Sequence, residues 1–166
     1  MTNKRYPVLG EKLIKQLADV PQTDGLYFPC MVTLSDGRDV DCVYLAEASP
    51  WYVSWGVWPE DDRGKYSVSA SEIVSLRNSP SRLPHHIAEK IYQHGESGMG
   101  YTLFTLIFID GTKQNYESGN AIDFVTYPEG QSANTVVDMI PHAGRDDPHR
   151  LIAPSYFWCL FEYPRR

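Results

Sequence analysis

The stretch that decides the fold of this chain runs from Gly95 to Tyr127. It opens with the loop G-E-S-G-M-G (95–100) and continues as Y-T-L-F-T-L-I-F-I (101–109), which is apolar at nearly every position. The turn D-G (110–111), a polar run and A-I-D-F-V-T-Y (121–127) follow. An Asp-Gly pair between two strand-like runs is a strong hairpin signal. The stretch therefore predicts an antiparallel β-meander.

The same pattern of helix, loop and hairpin occurs upstream. Residues 26–34 are mostly apolar, Asp36-Gly37 marks a second hairpin turn, and the return run 38–45 alternates apolar and polar positions. Residues 9–20 and 84–94 place apolar side chains on one face at helical spacing, so each segment is predicted to be a helix.

Five further segments are predicted to be strands. The first, Trp51–Val57, would have Trp51 on one face and Trp58 beyond its end on the other, because strand side chains alternate. The others are residues 66–68, 69–77 and 135–140, and the apolar tail Ser155–Tyr163. The tail fits either a buried strand or a strand that docks on a second copy of the chain, and the second alternative predicts a homodimer.

The chain also shows internal similarity. A shift of 74 residues aligns Leu9–Gly37 with Leu83–Gly111, and a shift of 63 aligns S-A-S-E-I-V-S-L (69–76) with S-A-N-T-V-V-D-M (132–139). Identities are few, so a shared helix–hairpin pattern without common origin is the alternative.

The segment M-V-T-L-S-D-G-R-D-V-D-C-V-Y-L (31–45) resembles the small β-barrels of the Sm-like and SH3-like group, as does L-R-N (76–78). That resemblance implies a small barrel preceded by a helix, and RNA binding. The loop A-E-A-S-P-W-Y (46–52) departs from the family because it lacks the Asn that holds RNA bases there. We predict an α+β, mostly antiparallel fold of two similar helix-plus-barrel halves, residues 1–79 and 80–166, sharing one core, with an extra C-terminal strand.

Composition restricts the partners. Fifteen basic and twenty-one acidic side chains give a net charge of −6. This balance argues against nucleic acid, which is bound by Lys and Arg, and favours a basic partner. No apolar run approaches the length of a membrane span, and the start has no signal-peptide pattern. A cytoplasmic protein without a membrane partner is expected.

The three cysteines, Cys30, Cys42 and Cys159, are odd in number and fit no metal or redox spacing. They are predicted to be buried thiols, with a Cys30–Cys42 bridge across the first hairpin as the alternative.

No catalytic residue or cofactor is predicted. Ser97 follows a helix and precedes a strand, the reverse of a nucleophile elbow, and a phosphate loop would need a helix after its glycines. His142, Asp146, Asp147 and His149 have the chemistry of metal ligands but match no ligand spacing. A solvated loop is predicted there, with a zinc or iron site as the alternative.

The predicted binding site lies at the end of the Trp51–Val57 segment. Tyr52, Trp58, Glu60, Asp61 and Asp62 combine aromatic rings with carboxylates, a combination that suits a protein partner. The alternative is that Trp58 covers the end of a barrel.

These features favour a non-enzymatic, cytoplasmic protein-binding module, of which an immunity-type inhibitor of a basic toxin would be one version. One alternative is a small hydrolase or ligand-binding protein with a site between the halves. Hydrogen bonding among Glu96, Ser97 and the loop from His142 to His149 would favour it. The other alternative is an RNA-binding Sm-like protein.

Overall fold

The computed structural model describes residues 4–165. They form an α+β structure with three α-helices and two mixed, mostly antiparallel sheets. The chain divides into two compact units, the first formed by residues 4–79 with 156–165 and the second by residues 80–155. Within the described residues both sheets keep open edges, so the expectation of closed barrels was wrong.

The first unit holds a five-stranded sheet in the order β3-β9-β2-β1-β4. Its elements are α1 (Glu11–Leu17), β1 (Phe28–Leu34), β2 (Asp39–Glu47), α2 (Ala48–Trp55), β3 (Tyr66–Ser67), β4 (Ile73–Arg77) and β9 (Phe157–Phe161). Strands β1, β2 and β4 pair antiparallel, whereas β9 runs parallel to both β2 and β3.

The second unit holds a four-stranded sheet in the order β7-β5-β6-β8. Its elements are α3 (His85–His94), β5 (Thr102–Phe108), β6 (Lys113–Ser118), β7 (Val136–Pro141) and β8 (Leu151–Ile152). Strand β5 pairs antiparallel with β6 and β7, and β8 runs parallel to β6.

Each unit buries an apolar cluster of its own. In the first, Leu13 of α1 packs with Val32 of β1 and Phe161 of β9. In the second, Ile87 of α3 packs with Leu106 of β5. The helices contribute because their apolar residues recur three and four positions apart and so face the sheet. The two helices predicted from this spacing are confirmed as α1 and α3.

The segment Trp51–Val57, predicted to be a strand, lies mostly in helix α2. Pro50 occupies the first turn of this helix, where proline is tolerated, and Gly56 ends it with φ 75°. Trp51 and Trp55 are four residues apart, a spacing that fits one face of a helix as well as one face of a strand. The alternation therefore did not distinguish the two structures.

The segment 121–127, predicted to be the third strand of the meander, forms only an isolated bridge between Phe124 and Arg82. Two of its backbone groups are hydrogen-bonded to the segment before α3, because the Asp123 carbonyl accepts from the Leu83 N–H and the Val125 N–H donates to the Ser81 carbonyl.

The C-terminal strand was assigned to the second half, but β9 lies inside the first sheet, between β3 and β2. Trp158 and Cys159 are almost fully buried there, at 1% and 0% exposure. Of the two roles considered for the tail, the buried strand is the one observed. The apolar side chains from Trp158 to Phe161 are therefore buried within the first unit, whereas Tyr163 is 43% exposed.

Candidate functional site

The aromatic residues after β2 pack into one cluster. The rings of Trp51 and Trp55 stack at 5.6 Å between centroids, and those of Tyr52 and Trp58 stack at 4.3 Å. Trp58 also contacts Tyr6 and is only 6% exposed, so of the two roles considered for it the covering one is closer to its position. Helix α2 places the ring of Tyr52 against that of Trp58. The prediction of a strand at this position did not foresee this contact.

The acidic residues that follow remain accessible. Pro59–Asp61 forms a 3₁₀ turn, and the Lys4 ammonium lies 3.1 Å from Glu60 Oε2 and 3.5 Å from Asp61 Oδ2. The Tyr6 hydroxyl donates to Glu60 Oε2 at 2.8 Å. Burial alone would raise the pKa of Glu60, but its own backbone N–H, the Tyr6 hydroxyl and Lys4 together lower it. Glu60 is therefore a carboxylate at neutral pH.

Asp62 has a different environment. It is paired with Lys65, accepts from the Gly64 N–H at 3.2 Å, and has a lowered pKa chiefly because of Lys65. The Lys65 ammonium also lies 5.1 Å from the centroid of the Trp55 ring. Among the three predicted carboxylates, Glu60 and Asp61 are the more exposed, with 41% and 59% of the side chain accessible against 36% for Asp62.

A pocket of about 260 Å³ opens beside this acidic turn. Tyr6, Pro59 and Glu60 line one part of it, and Trp158 and Leu160 of β9 line another. The pocket combines apolar walls with a single carboxylate. This is the chemistry that accommodates the aliphatic stem and the cationic head of Lys or Arg.

A second group of polar side chains meets at one end of the second sheet. Ser97 Oγ lies 2.7 Å from His142 Nδ1, and His142 Nε2 lies 3.0 Å from the His94 carbonyl oxygen. Since that carbonyl can only accept, Nε2 carries a proton, and in the neutral ring Nδ1 accepts from Ser97. Ser97 Oγ itself accepts from the Leu103 N–H at 2.8 Å.

The contact between Ser97 and His142 polarises the serine hydroxyl, but it also ties the glycine loop to the residues after β7. No carboxylate among residues 4–165 hydrogen-bonds to His142, whose ring contacts Ser97 and the His94 carbonyl. The contact is one of those expected of a small hydrolase, but the pair lacks the carboxylate that usually orients the base of a serine nucleophile. Sequence spacing could not find this pair, because its members lie 45 positions apart.

Two glycines allow the close approach of these loops. A Cβ on Gly98 would lie 2.3 Å from the ring of Tyr101, and a Cβ on Gly144 would lie 2.7 Å from the side chain of Asn115. Gly144 also has φ 90°, and the neighbouring His142 has φ 55°. Strained backbone of this kind persists where the surrounding structure holds a side chain in place.

Arg145 lies in the same loop. Its guanidinium donates to the Tyr101 hydroxyl at 2.7 Å and to the Ser97 carbonyl at 3.3 Å, and lies 5.5 Å from the centroid of the Tyr101 ring. A pocket of about 200 Å³ beside it is lined by Tyr101, Leu103, Glu117, Arg145 and Arg150.

The candidate metal ligands are not brought together. His142 contacts Ser97, whereas Asp147 accepts from the backbone N–H of His149 and the side-chain amide of Asn115. Throughout the described part of the chain, no three His, Cys, Asp or Glu side chains are arranged so that they could hold a metal ion.

Comparison of the chain with protein-family models, with curated proteins and with solved structures finds no match. The longest of the helices described for residues 4–165 has ten residues, and none has the length and apolarity needed to cross a membrane.

Proposed function

We propose that this protein is a non-enzymatic binding module that takes a basic segment of a protein partner at the acidic turn of the first unit. The observation that carries the proposal is the pocket beside Glu60. Its partly exposed apolar lining at Tyr6 and Val68 would pack on the stem of a Lys or Arg side chain, and the Glu60 carboxylate would accept from the cationic head.

The charges around the pocket favour the same partner. Asp61 lies next to Glu60, and the whole chain carries a net charge of −6, which steers a basic partner toward the protein. Lys4 already supplies one ammonium group to Glu60 and Asp61. A cation of the partner would replace this exposed internal salt bridge, which contributes little to stability.

The test is the binding of a fluorescein-labelled oligoarginine peptide, followed by fluorescence anisotropy at low salt. Glu60→Gln should weaken binding about tenfold or more, the usual value of one charge-assisted hydrogen bond. Glu11→Gln is the matched control, because Glu11 is an exposed glutamate of the same unit, on α1. Equal weakening by both substitutions would indicate general charge attraction and would refute a site at Glu60.

An immunity-type inhibitor of a basic toxin is one version of this proposal, and it places the protein in the cytoplasm. The burial of Cys30, Cys42 and Cys159 as thiols is compatible with a reducing compartment. The version predicts that a purified partner carries a Lys or Arg whose replacement by Ala abolishes the complex.

Self-association is proposed at the outer edge of β7. This strand pairs only with β5 in the described sheet, and its Val137 and Ile140 are 50% and 38% exposed. An exposed edge with apolar side chains can pair with a second copy. A monomer mass by light scattering at high concentration would contradict it.

We also propose that the two units arose by duplication of one helix-plus-sheet unit. Val32 pairs with Leu76 in the first unit, and Leu106 pairs with Met139 in the second. The same two shifts that align the sequences, 74 and 63 residues, convert the first pair into the second. In each sheet the return strand of the hairpin also has a parallel neighbour, β9 beside β2 in the first and β8 beside β6 in the second.

A further inference from the structure

Arg145 is held in one orientation. Two of its N–H groups are engaged, one by the Tyr101 hydroxyl and one by the Ser97 carbonyl, and its guanidinium lies against the Tyr101 ring. An exposed arginine ordinarily samples many rotamers, and a ligand must restrict them at a cost in affinity. The fold already restricts the rotamers of Arg145, so a ligand loses less affinity in ordering this side chain.

The charge of Arg145 is not matched by a salt bridge. Within residues 4–165 no carboxylate oxygen lies within 4.0 Å of its guanidinium nitrogens. The hydrogen bond from Arg145 to Tyr101 raises the pKa of the guanidinium above its already high value, and the more distant Asp146 carboxylate adds a smaller contribution. The side chain therefore presents a permanent positive charge with further N–H donors on a planar group.

The rest of the pocket is close to electrically neutral. Arg150 Nε lies 3.0 Å from Glu117 Oε1, and Arg150 also donates to the Asp147 carbonyl at 3.1 Å. The lining residues together carry one excess positive charge, that of Arg145. Such a site suits a monoanion, because a dianion would meet the Glu117 carboxylate without a second unmatched cation.

The walls indicate what accompanies the anionic group. The Tyr101 ring is partly exposed and supplies the apolar surface of the pocket, whereas Leu103 lines it but is almost fully buried. Aromatic rings favour flat or apolar groups packed at van der Waals distance. The volume of about 200 Å³ restricts the ligand to a small molecule.

We propose that this pocket of the second unit binds a small monocarboxylate whose carboxylate is attached to a flat, apolar group. The carboxylate would accept from Arg145 in the planar, paired geometry that guanidinium groups favour. The flat group would lie along Tyr101. This site is separate from the acidic pocket of the first unit and takes a ligand of opposite charge.

Benzoate is the probe, and benzamide is its neutral counterpart of nearly the same shape. Both are titrated into the ¹⁵N-labelled full chain while amide and arginine Nε–H resonances are followed by NMR. Benzoate should shift the resonances of Tyr101, Leu103 and Arg145 with a Kd on the order of 1 mM, as expected for so small a ligand. Benzamide should bind at least tenfold more weakly. Equal affinities of the two probes would overturn the proposal.

Two variants test the role of the guanidinium. Arg145→Gln should weaken benzoate binding at least tenfold, whereas Arg63→Gln, the same change at an exposed arginine of the first unit, should leave it unchanged. Arg145→Lys keeps the charge but lacks the planar pair of donors, so it should give an intermediate loss. If Arg145→Gln proves unfolded by its NMR spectrum, Arg145→Lys and the contrast between the two probes decide the question.

Inorganic phosphate is tested as a competitor of benzoate in the same experiment. It should displace benzoate only weakly at pH 7, because much of it is a dianion. Displacement by phosphate at concentrations below those needed for benzoate would overturn the assignment to a monocarboxylate. Benzoate-induced shifts confined to residues outside the 95–103 and 142–150 segments would overturn the location.

Discussion

Gly98 and Gly144 differ in what would oppose a side chain at each position. At Gly98 the obstacle is the tip of the Tyr101 ring, which can turn away. At Gly144 the obstacle is Asn115 Cβ and Cγ, which are held close to the main chain of β6, and φ is 90°. Backbone in the left-handed region adds strain for any residue with a Cβ.

We expect Gly144→Ala to lower the free energy of unfolding by about 1–3 kcal/mol, and Gly98→Ala by about 1 kcal/mol. Gly64→Ala is the control, because a Cβ there meets nothing closer than 3.9 Å. Urea unfolding of the three variants measures these losses in unfolding free energy and so gives their order. A loss at Gly64→Ala as large as that at Gly144→Ala would contradict the steric argument.

Tyr156 limits the stability of the folded protein at alkaline pH. Burial beside Tyr44 and Trp158 raises the pKa of Tyr156 from 10.0 to about 12. Between these pH values the unfolded chain loses the proton while the folded chain keeps it. Stability contributed by the neutral hydroxyl is therefore complete below pH 10 and is lost as the pH rises toward 12.

The expected loss from this group is about 2 kcal/mol across that window. Tyr156→Phe keeps the ring but has no proton to lose, so its urea midpoint should fall less steeply with pH than that of the unaltered protein. Parallel pH profiles for the two proteins would show that Tyr156 does not limit alkaline stability.

At the scale of elements, the two hairpins have the same turn. Gly37 has φ 88° and Gly111 has φ 86°, and in each turn the N–H of the glycine donates to the carbonyl three residues earlier. These features are typical of a type I turn followed by a left-handed glycine. A Cβ at either position meets open space, so only the backbone conformation opposes alanine.

Gly37→Ala and Gly111→Ala should therefore destabilise the protein by similar amounts, about 1–2 kcal/mol each. Hydrogen exchange should locate the effect of the first substitution in β1 and β2, and that of the second in β5 and β6. Costs that differ by more than twofold would show that the two turns are not equivalent.

At the scale of the molecule, the last strand completes a sheet that begins far earlier in the chain. Strand β9 pairs with β2 on one side and β3 on the other, and it buries Trp158 and Phe161. Removing it would expose this apolar surface and the hydrogen-bonding edge of β2. The second sheet contains no residue of β9.

We expect a chain that ends at residue 154 to lose hydrogen-exchange protection in β1 and β2 and to keep it in β5 and β6. A chain that ends at residue 162 retains β9 and serves as the control. Loss of protection in β5 and β6 of the shorter chain would show that the second unit depends on β9.

Local patterns predicted much of this fold. The two Asp-Gly turns, the strands on either side of them and the helices α1 and α3 follow from spacing and turn chemistry. Prediction was wrong where one pattern fits two structures, as for Trp51 and Trp55, whose spacing suits a helix and a strand alike. It was also wrong for residues 121–127, whose apolar run is buried without joining a sheet.

Only some of the predicted binding residues lie at the surface. Glu60 and Asp61 are exposed, but Trp58 is buried because helix α2 turns the chain back over it. The second pocket was not predicted at all. Arg145 has no motif around it, and its significance comes from contacts with Tyr101 and Ser97, which are more than 40 positions away.

The sequence by itself determined the helices and hairpins, because the spacing of apolar residues, the residues at helix ends and the turn residues all act over a few positions. It also determined the acidity that favours a basic partner. Only the tertiary structure decided that the last strand belongs to the first sheet and that His142 reaches Ser97. Among residues 4–165 it also left Arg145 without a carboxylate within salt-bridge distance. The physical reason is that such contacts join distant segments, and no local preference encodes which distant segments will meet.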